Sequence, residues 1–362
     1  MTAFSFFLAF VGFALLVILH ELGHFSAAKA VGMRVEKFSL FFPPTILSRK
    51  RGETEYAIGA IPAGGYVKIT GMNPDEDLPE EVRDRAYHAQ PVWKRIVVIA
   101  AGPAVNVLVA LVLMFCFFSL IGRETATTDV GPIEKGYPAA EVLKPGDKLI
   151  AVDGVRGDAA KLSPLISKHE CAEKPPTKGC QASTPATLLI ERDGRRVTIE
   201  AKPIYDPVRE RTRLGFGYAP GPRETLGVGD SLTESVDSFW FITKQTVSLP
   251  AKIIDPEERK EISGVVGSYE VTRQTILSDV AEVVGILAII SLSLAIVNLF
   301  PFLPLDGGHI FWAVVEKVRG RPVPLYVMER SGVIGFLLVI GLFMIGLTND
   351  IDRLSGEGFQ VR

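Results

Sequence analysis

The 362-residue chain carries 39 basic and 41 acidic side chains, a formal net charge of −2, so no basic excess marks a nucleic-acid partner. Its 48% hydrophobic content and positive mean hydropathy suggest a protein part in lipid and part in water. No heptad run, low-complexity tract or internal repeat points to a fibrous or repetitive protein.

From Ala3 to Leu19 no charged residue occurs, and after Glu21 the chain is apolar again as far as Ala28. This reads as a first membrane-spanning helix at about 3–28. Within it stands His20-Glu21-Leu22-Gly23-His24. A four-residue spacing on a helix projects both imidazoles from one face, where they can share a metal ion. Neutral imidazole suits zinc, and a carboxylate beside the site can take a proton from an activated water, which is the physical content of the H-E-x-x-H pattern. An ionisable group at the centre of a membrane helix costs about 2.5–3.5 kcal/mol, so three on one turn call for a function. A cleaved signal peptide fits poorly, because Met1 to Phe10 has no Lys or Arg and the apolar run carries Glu21.

Arg34 to Ser48 and Thr54 to Thr70 read as strands around a turn at Arg49 to Glu53, a β-hairpin region at about 34–70. Phe38, Leu40, Phe41 and Phe42 are very apolar for a surface hairpin and favour one that dips toward the bilayer, where its edge can hold an unwound substrate strand. A second span is expected at about 96–121. It opens with Ala101-Gly102-Pro103-Ala104-Val105-Asn106, in which Gly102 and Pro103 fit close helix packing. Asn106 needs a partner in lipid, either near the metal site or on a neighbouring helix.

Residues 122–205 read as a small β-rich domain, with a helical stretch from Ala159 to His169 and strands Ala186 to Arg192 and Arg196 to Ala201 joined at Asp193-Gly194. Cys171 and Cys180 lie in an apparent insertion and favour a disulfide if this domain faces outward, while Cys116 falls within the second span. Residues 206–279 contain an amphipathic stretch, Ser231 to Ile254, expected at the outer membrane surface, and then a polar return. Spans three and four are expected at about 280–300 and 331–348, completing the second half of the membrane core, 280–362, with an outward tail. The Lys and Arg residues crowd between spans one and two and between spans three and four, so both loops should be cytoplasmic and the histidines should lie toward the cytoplasmic end of span one.

A catalytic zinc takes three protein ligands and keeps an open position, so a third ligand is needed. The loop Asn298-Leu299-Phe300-Pro301-Phe302-Leu303-Pro304-Leu305-Asp306-Gly307-Gly308-His309 supplies it, because the third span runs inward and delivers Asp306 to the side of the histidines. His309 is the rival ligand, and an ordinary Asp-Gly-Gly turn the bland alternative.

The pattern Gly136-Tyr137-Pro138-Ala139-Ala140 through Pro145-Gly146-Asp147 to Val152-Asp153-Gly154 resembles bacterial PDZ domains, which bind peptide strands along a sheet edge; a groove for peptide and a spacer that filters access remain equal readings. Together with His20 to His24, Gly64 to Lys68, Ala101 to Asn106 and Asn298 to His309, the chain resembles the site-2 protease family over nearly its whole length, in particular the bacterial regulator-of-sigma-E type with one PDZ domain.

That resemblance implies a membrane α-helical fold of four transmembrane helices with a membrane-associated β-hairpin and an inserted extracytoplasmic PDZ domain, in the bacterial inner membrane. It implies Zn2+ held by His20, His24 and Asp306, Glu21 as the catalytic residue, and Asn298, Pro301 and Pro304 in receiving substrate. Asn106 is grouped with those three as a substrate-binding candidate. The implied substrate is a single-pass membrane protein, such as an anti-sigma factor already trimmed outside or a remnant signal peptide. Where many members carry a Gly-Phe-Gly-like turn, this chain reads Phe41-Phe42-Pro43-Pro44. A catalytically silent membrane scaffold, its PDZ domain binding exported protein tails, is the alternative of another class.

Overall fold

The chain before Lys29 is mostly apolar and holds no proline, and the first helix, α1, spans Thr2–Ala30. The computed structural model describes residues 2–355 apart from 74, 75, 172, 208, 210, 256–258, 260, 261, 263, 279 and 280. After α1 come β1 (Val35–Arg51) and β2 (Thr54–Ile69), with Gly52 at φ +63° in the turn between them. Phe38 pairs with Val67 on one side and Tyr56 on the other, and Arg49 pairs with Tyr56 from beyond. The two long strands therefore bend into four segments in the order 45–51, 54–59, 35–42 and 61–69, which leaves 61–69 at an edge. Phe41 adopts φ +72°, the left-handed region that favours glycine and that costs another residue about 1–3 kcal/mol. Phe42, Ile46, Leu47, Ile58 and Ile61 are all exposed at the apolar end of this sheet.

The other end is fixed by charge. Glu53 accepts from Arg85 at 2.8 and 2.9 Å and from Lys29 at 2.6 Å, and these partners hold its carboxyl down at about 2. Helix α2 (Val92–Cys116) starts just after Pro91 and runs on as a π-helical turn through Ile121. Its Val98 and Ile99 join Ala28, Met33, Val35, Ile69 and Tyr87 in a buried cluster that packs α1, the sheet and α2 together.

Residues Ile121–Thr225 form a separate compact unit. It contains β3 (Arg123–Ile133), β4 (Lys148–Val152), α3 (Ala159–Ser167), β5 (Ala186–Arg192), β6 (Arg195–Ala201) and β7 (Phe216–Glu224). The sheet order is β7-β3-β4-β5-β6, with Val155–Arg156 paired to β4. Asp193 and Gly194 both take positive φ, as a two-residue turn between twisted strands requires. Asp158 caps α3 by accepting from the Lys161 amide, and Leu149, Leu162, Leu188, Ile190 and Leu214 fill the core. The buried Asp147 is gripped by Arg192 at 2.7 and 2.6 Å, which lowers its pKa. The Cys171 and Cys180 sulfurs lie at disulfide-bonding distance, 2.02 Å. The unit extends past the boundary expected at residue 205. Its last strand, β7, contains Pro220 and Pro222, which argue against a strand in sequence but are tolerated at a sheet edge.

The chain then forms α4 (Val228–Ile254), α5 (Val265–Ser278), α6 (Glu282–Asn298), α7 (Asp306–Arg319) and α8 (Leu325–Ser355). Helix α5 replaces the expected polar return. Asn349 and Asp350 of α8 dock the segment before and at the start of it: Asn349 donates to the Arg259 and Ile262 carbonyls, and the buried Asp350 accepts from the Gly264 and Gly267 amides. Phe239 and Ile242 of α4 pack with Ala110 and Met114 of α2 and Ala288, Leu292 and Ile296 of α6. Among the described residues three helices are long and apolar enough to cross a membrane, over Phe10–Ala30, Val92–Ile121 and Tyr326–Leu354; Glu282–Asn298 is a shorter apolar helix. The tail beyond Ser355 lies outside the described residues.

Candidate active site

Helical spacing in α1 places His20 and His24 side by side, their Nε2 atoms 3.2 Å apart and both residues buried. Asp306, the first residue of α7, brings Oδ2 to 3.2 Å from His20 Nε2 and 3.4 Å from His24 Nε2. The ligating atoms of this trio lie within 4.8 Å of one another, and it is the group of metal-ligand type found among the described residues. Asp306 Oδ2 is buried and makes no hydrogen bond of proper geometry. Two nitrogens and a carboxylate oxygen aimed at one point fit the donor set of a catalytic zinc site. His24 is oriented from behind, its Nδ1 donating to the Val98 carbonyl at 2.9 Å, which leaves the Nε2 lone pair free to face a cation.

Glycines make the convergence possible. A Cβ on Gly23 would stand 2.6 Å from the Ala101 carbonyl oxygen, and one on Gly102 would strike the His24 ring, so α1 and α2 touch where both residues lack side chains. Gly307 and Gly308 are equally confined, packed against the backbone of Leu299 and Leu303. The turn before Asp306 is thereby folded tightly under α7.

A cavity of about 450 Å3 opens beside the trio, lined by Glu21, His20, His24, Asp306, Asn298, Pro304 and His309, by Phe42 and Gly64 to Val67 of the sheet, and by apolar residues that include Phe13, Val17 and Leu294. The Glu21 carboxylate lies beside the Val67 backbone, and a Cβ on Gly65 would approach its Cγ to 3.1 Å. The edge segment 61–69 thus runs past the carboxylate. His309 shares the cavity but stands outside the converging trio.

Two sequence candidates lie elsewhere. Pro301 is exposed and does not line the cavity, because the chain turns away between Phe300 and Leu303. Asn106 is fully buried behind His20, with Nδ2 3.3 Å from its Nδ1, and touches no substrate space. The sequence does not reveal the Val98 carbonyl, and it offers Gly64 to Lys68 as a motif without showing that Gly65 packs against Glu21. A backbone carbonyl leaves no trace in side-chain identity, but two adjacent glycines at 64 and 65 inside a strand were a signal of close approach.

Peptidase family M50 matches residues 8–342. The chain belongs to peptidase family M50. Relatives named as candidate zinc metalloproteases include one from Brucella suis biovar 1, 31% identical over 92% of both chains. Another, from Rhizobium meliloti, is 29% identical over 94% of this chain and 95% of its own, and one from Campylobacter jejuni is 28% identical over 94% and 92%. This M50 peptidase is a zinc-dependent membrane metalloprotease.

Proposed function

We propose that this M50 peptidase hydrolyses peptide bonds within or near the transmembrane segment of single-pass membrane proteins, including anti-sigma factors already trimmed outside or remnant signal peptides. The observation that carries the reading is the convergence of His20, His24 and Asp306 on one point within a membrane-type helix pair, beside a carboxylate and a sheet edge. His20, His24 and Asp306 hold the zinc. When bound there, zinc polarises a carbonyl and lowers the pKa of water toward about 7.

Glu21, in the cavity beside the trio, takes the proton of the attacking water and delivers it to the leaving amine. Segment 65–69 receives the substrate as an added strand, since a membrane helix must lose its internal hydrogen bonds before a peptide bond is open to attack. Asn298 and Pro304 border that path, and Phe42 and Tyr66, stacked with centroids 6.2 Å apart, form an apolar wall.

Helix α6 is a fourth span; at 17 residues it covers about 26 Å, close to the bilayer core. The basic residues between α1 and α2, and Lys317, Arg319, Arg321 and Arg330 around the turn from α7 to α8, favour a cytoplasmic side for both regions in a bacterial inner membrane, and on that reading the unit Ile121–Thr225 is an extracytoplasmic PDZ-type domain that limits which substrates reach the site. Glu21→Gln tests the mechanism. It should bind zinc at parental stoichiometry and still trap a membrane peptide, yet cleave it two to four orders of magnitude more slowly, the usual scale for a positioned general base. Cleavage at the parental rate would defeat the mechanism.

A further inference from the structure

Asn106 lies on α2 one turn after Gly102, with its side chain fully buried. Its backbone carbonyl accepts from Ser291 Oγ of α6 at 2.9 Å, a contact that leaves its side-chain amide out. Nδ2 faces His20 Nδ1 at 3.3 Å, while Oδ1 is buried with no hydrogen-bond partner. In that orientation the ring accepts at Nδ1, and a neutral imidazole that accepts there carries its proton on Nε2. A protonated Nε2 has no lone pair for a cation, yet His20 Nε2 is the atom that converges with His24 and Asp306. Turning the amide by half a revolution exchanges two atoms of nearly equal size and removes both conflicts: Oδ1 gains a donor and Nε2 is freed.

We infer that Asn106 is a positioning residue whose Oδ1 accepts from His20 Nδ1–H and so fixes the tautomer that presents Nε2 to the metal. It plays for His20 the part that the Val98 carbonyl plays for His24. The inference rests on the ligand assignment proposed above.

The test is zinc affinity of the purified full chain, by competition with a chelator, for the parent and for Asn106→Leu, Asn106→Asp, Ser291→Ala and Asp306→Ala. Asn106→Leu keeps the volume and removes the acceptor, so zinc should bind about 10–100-fold more weakly, the usual loss for an outer-shell partner. Asn106→Asp keeps an acceptor and removes the donor, so zinc should bind at least as tightly as to the parent. Ser291→Ala should leave affinity unchanged. Should Asn106→Leu fail to fold, the metal-free parent still decides: nitrogen-15 NMR of His20 should find the proton on Nδ1, and a proton on Nε2 overturns the inference. Weakened binding in Asn106→Asp, or parental affinity in Asn106→Leu, overturns the inference. Stoichiometric zinc in Asp306→Ala overturns the ligand assignment itself, a separate outcome.

Discussion

Gly102→Ala adds one methyl group where α1 and α2 touch. The new Cβ would lie against His24 Nε2 and only 2.6 and 2.8 Å from Cε1 and Cδ2 of the same ring. Carbon atoms in contact prefer about 3.5–4.0 Å, so the ring or the helix must retreat by about 1 Å. Retreat of the helix is opposed by Gly23, already against the Ala101 and Gly102 backbone, so the imidazole yields first. Overpacking of this kind costs about 1–3 kcal/mol in stability, and a displacement of 1 Å far exceeds the roughly 0.2 Å tolerance of a metal–nitrogen bond. Zinc affinity should fall by at least about 100-fold, and cleavage of a membrane peptide with it, while the protein still inserts. Gly341→Ala, on α8 with open space around it, is the control and should behave as the parent. The measurements are chelator competition and cleavage in the same detergent. Parental zinc affinity in Gly102→Ala would refute the packing argument.

Asp306→Ala should strip zinc, whereas His309→Ala should retain it and alter cleavage only; the reverse pattern of metal content would exchange their roles. Cys171 and Cys180 should both resist alkylation in non-reduced protein, as read by mass spectrometry, and their reduction should cost the unit Ile121–Thr225 about 2–3 kcal/mol in the chain-entropy model for a short loop. Asp147, held ionised by Arg192, has a folded pKa below its ordinary 3.8, so the stability it contributes is full above pH 3.8 and is lost as pH falls through the folded value. Asp147→Asn should therefore remove that acid-side dependence and, by taking the carboxylate from Arg192, which keeps only the Val142 carbonyl, destabilise Ile121–Thr225 by about 1–2 kcal/mol in a thermal melt. A melt unchanged by the substitution would show that the pair does not brace the unit.

The site was legible because its chemistry is carried by side-chain types at fixed spacing. Two histidines four apart need only a helix to converge, and an apolar run supplied one. Asp306 was legible because a span expected to run inward and to end in Pro and Gly residues would deliver it to the side of the histidines. Asn106 falls beside His20, one of the two placements open to it in sequence, while neither it nor Pro301 lines the cavity, because a residue's type does not reveal which face of a crowded helix or turn it occupies. The strand at 216–224 was hidden by prolines that only an edge position permits, and α5 by a composition with no strong apolar stripe. The four-segment curl of β1 and β2 could not be read at all, because register in so apolar a pair is set by packing against α1 and not by alternation.

The converging trio is divided between the two ends of the chain, with His20 and His24 near the start and Asp306 after the whole inserted unit. A ribosome delivers the histidines first, and at about 5–20 residues per second the aspartate follows roughly 15–55 seconds later. During that interval the newborn chain shares the membrane with other proteins while lacking a donor for its metal. On the ligand set proposed above, hydrolytic competence thus waits for α7, and a chain cut short anywhere before it is inert by construction.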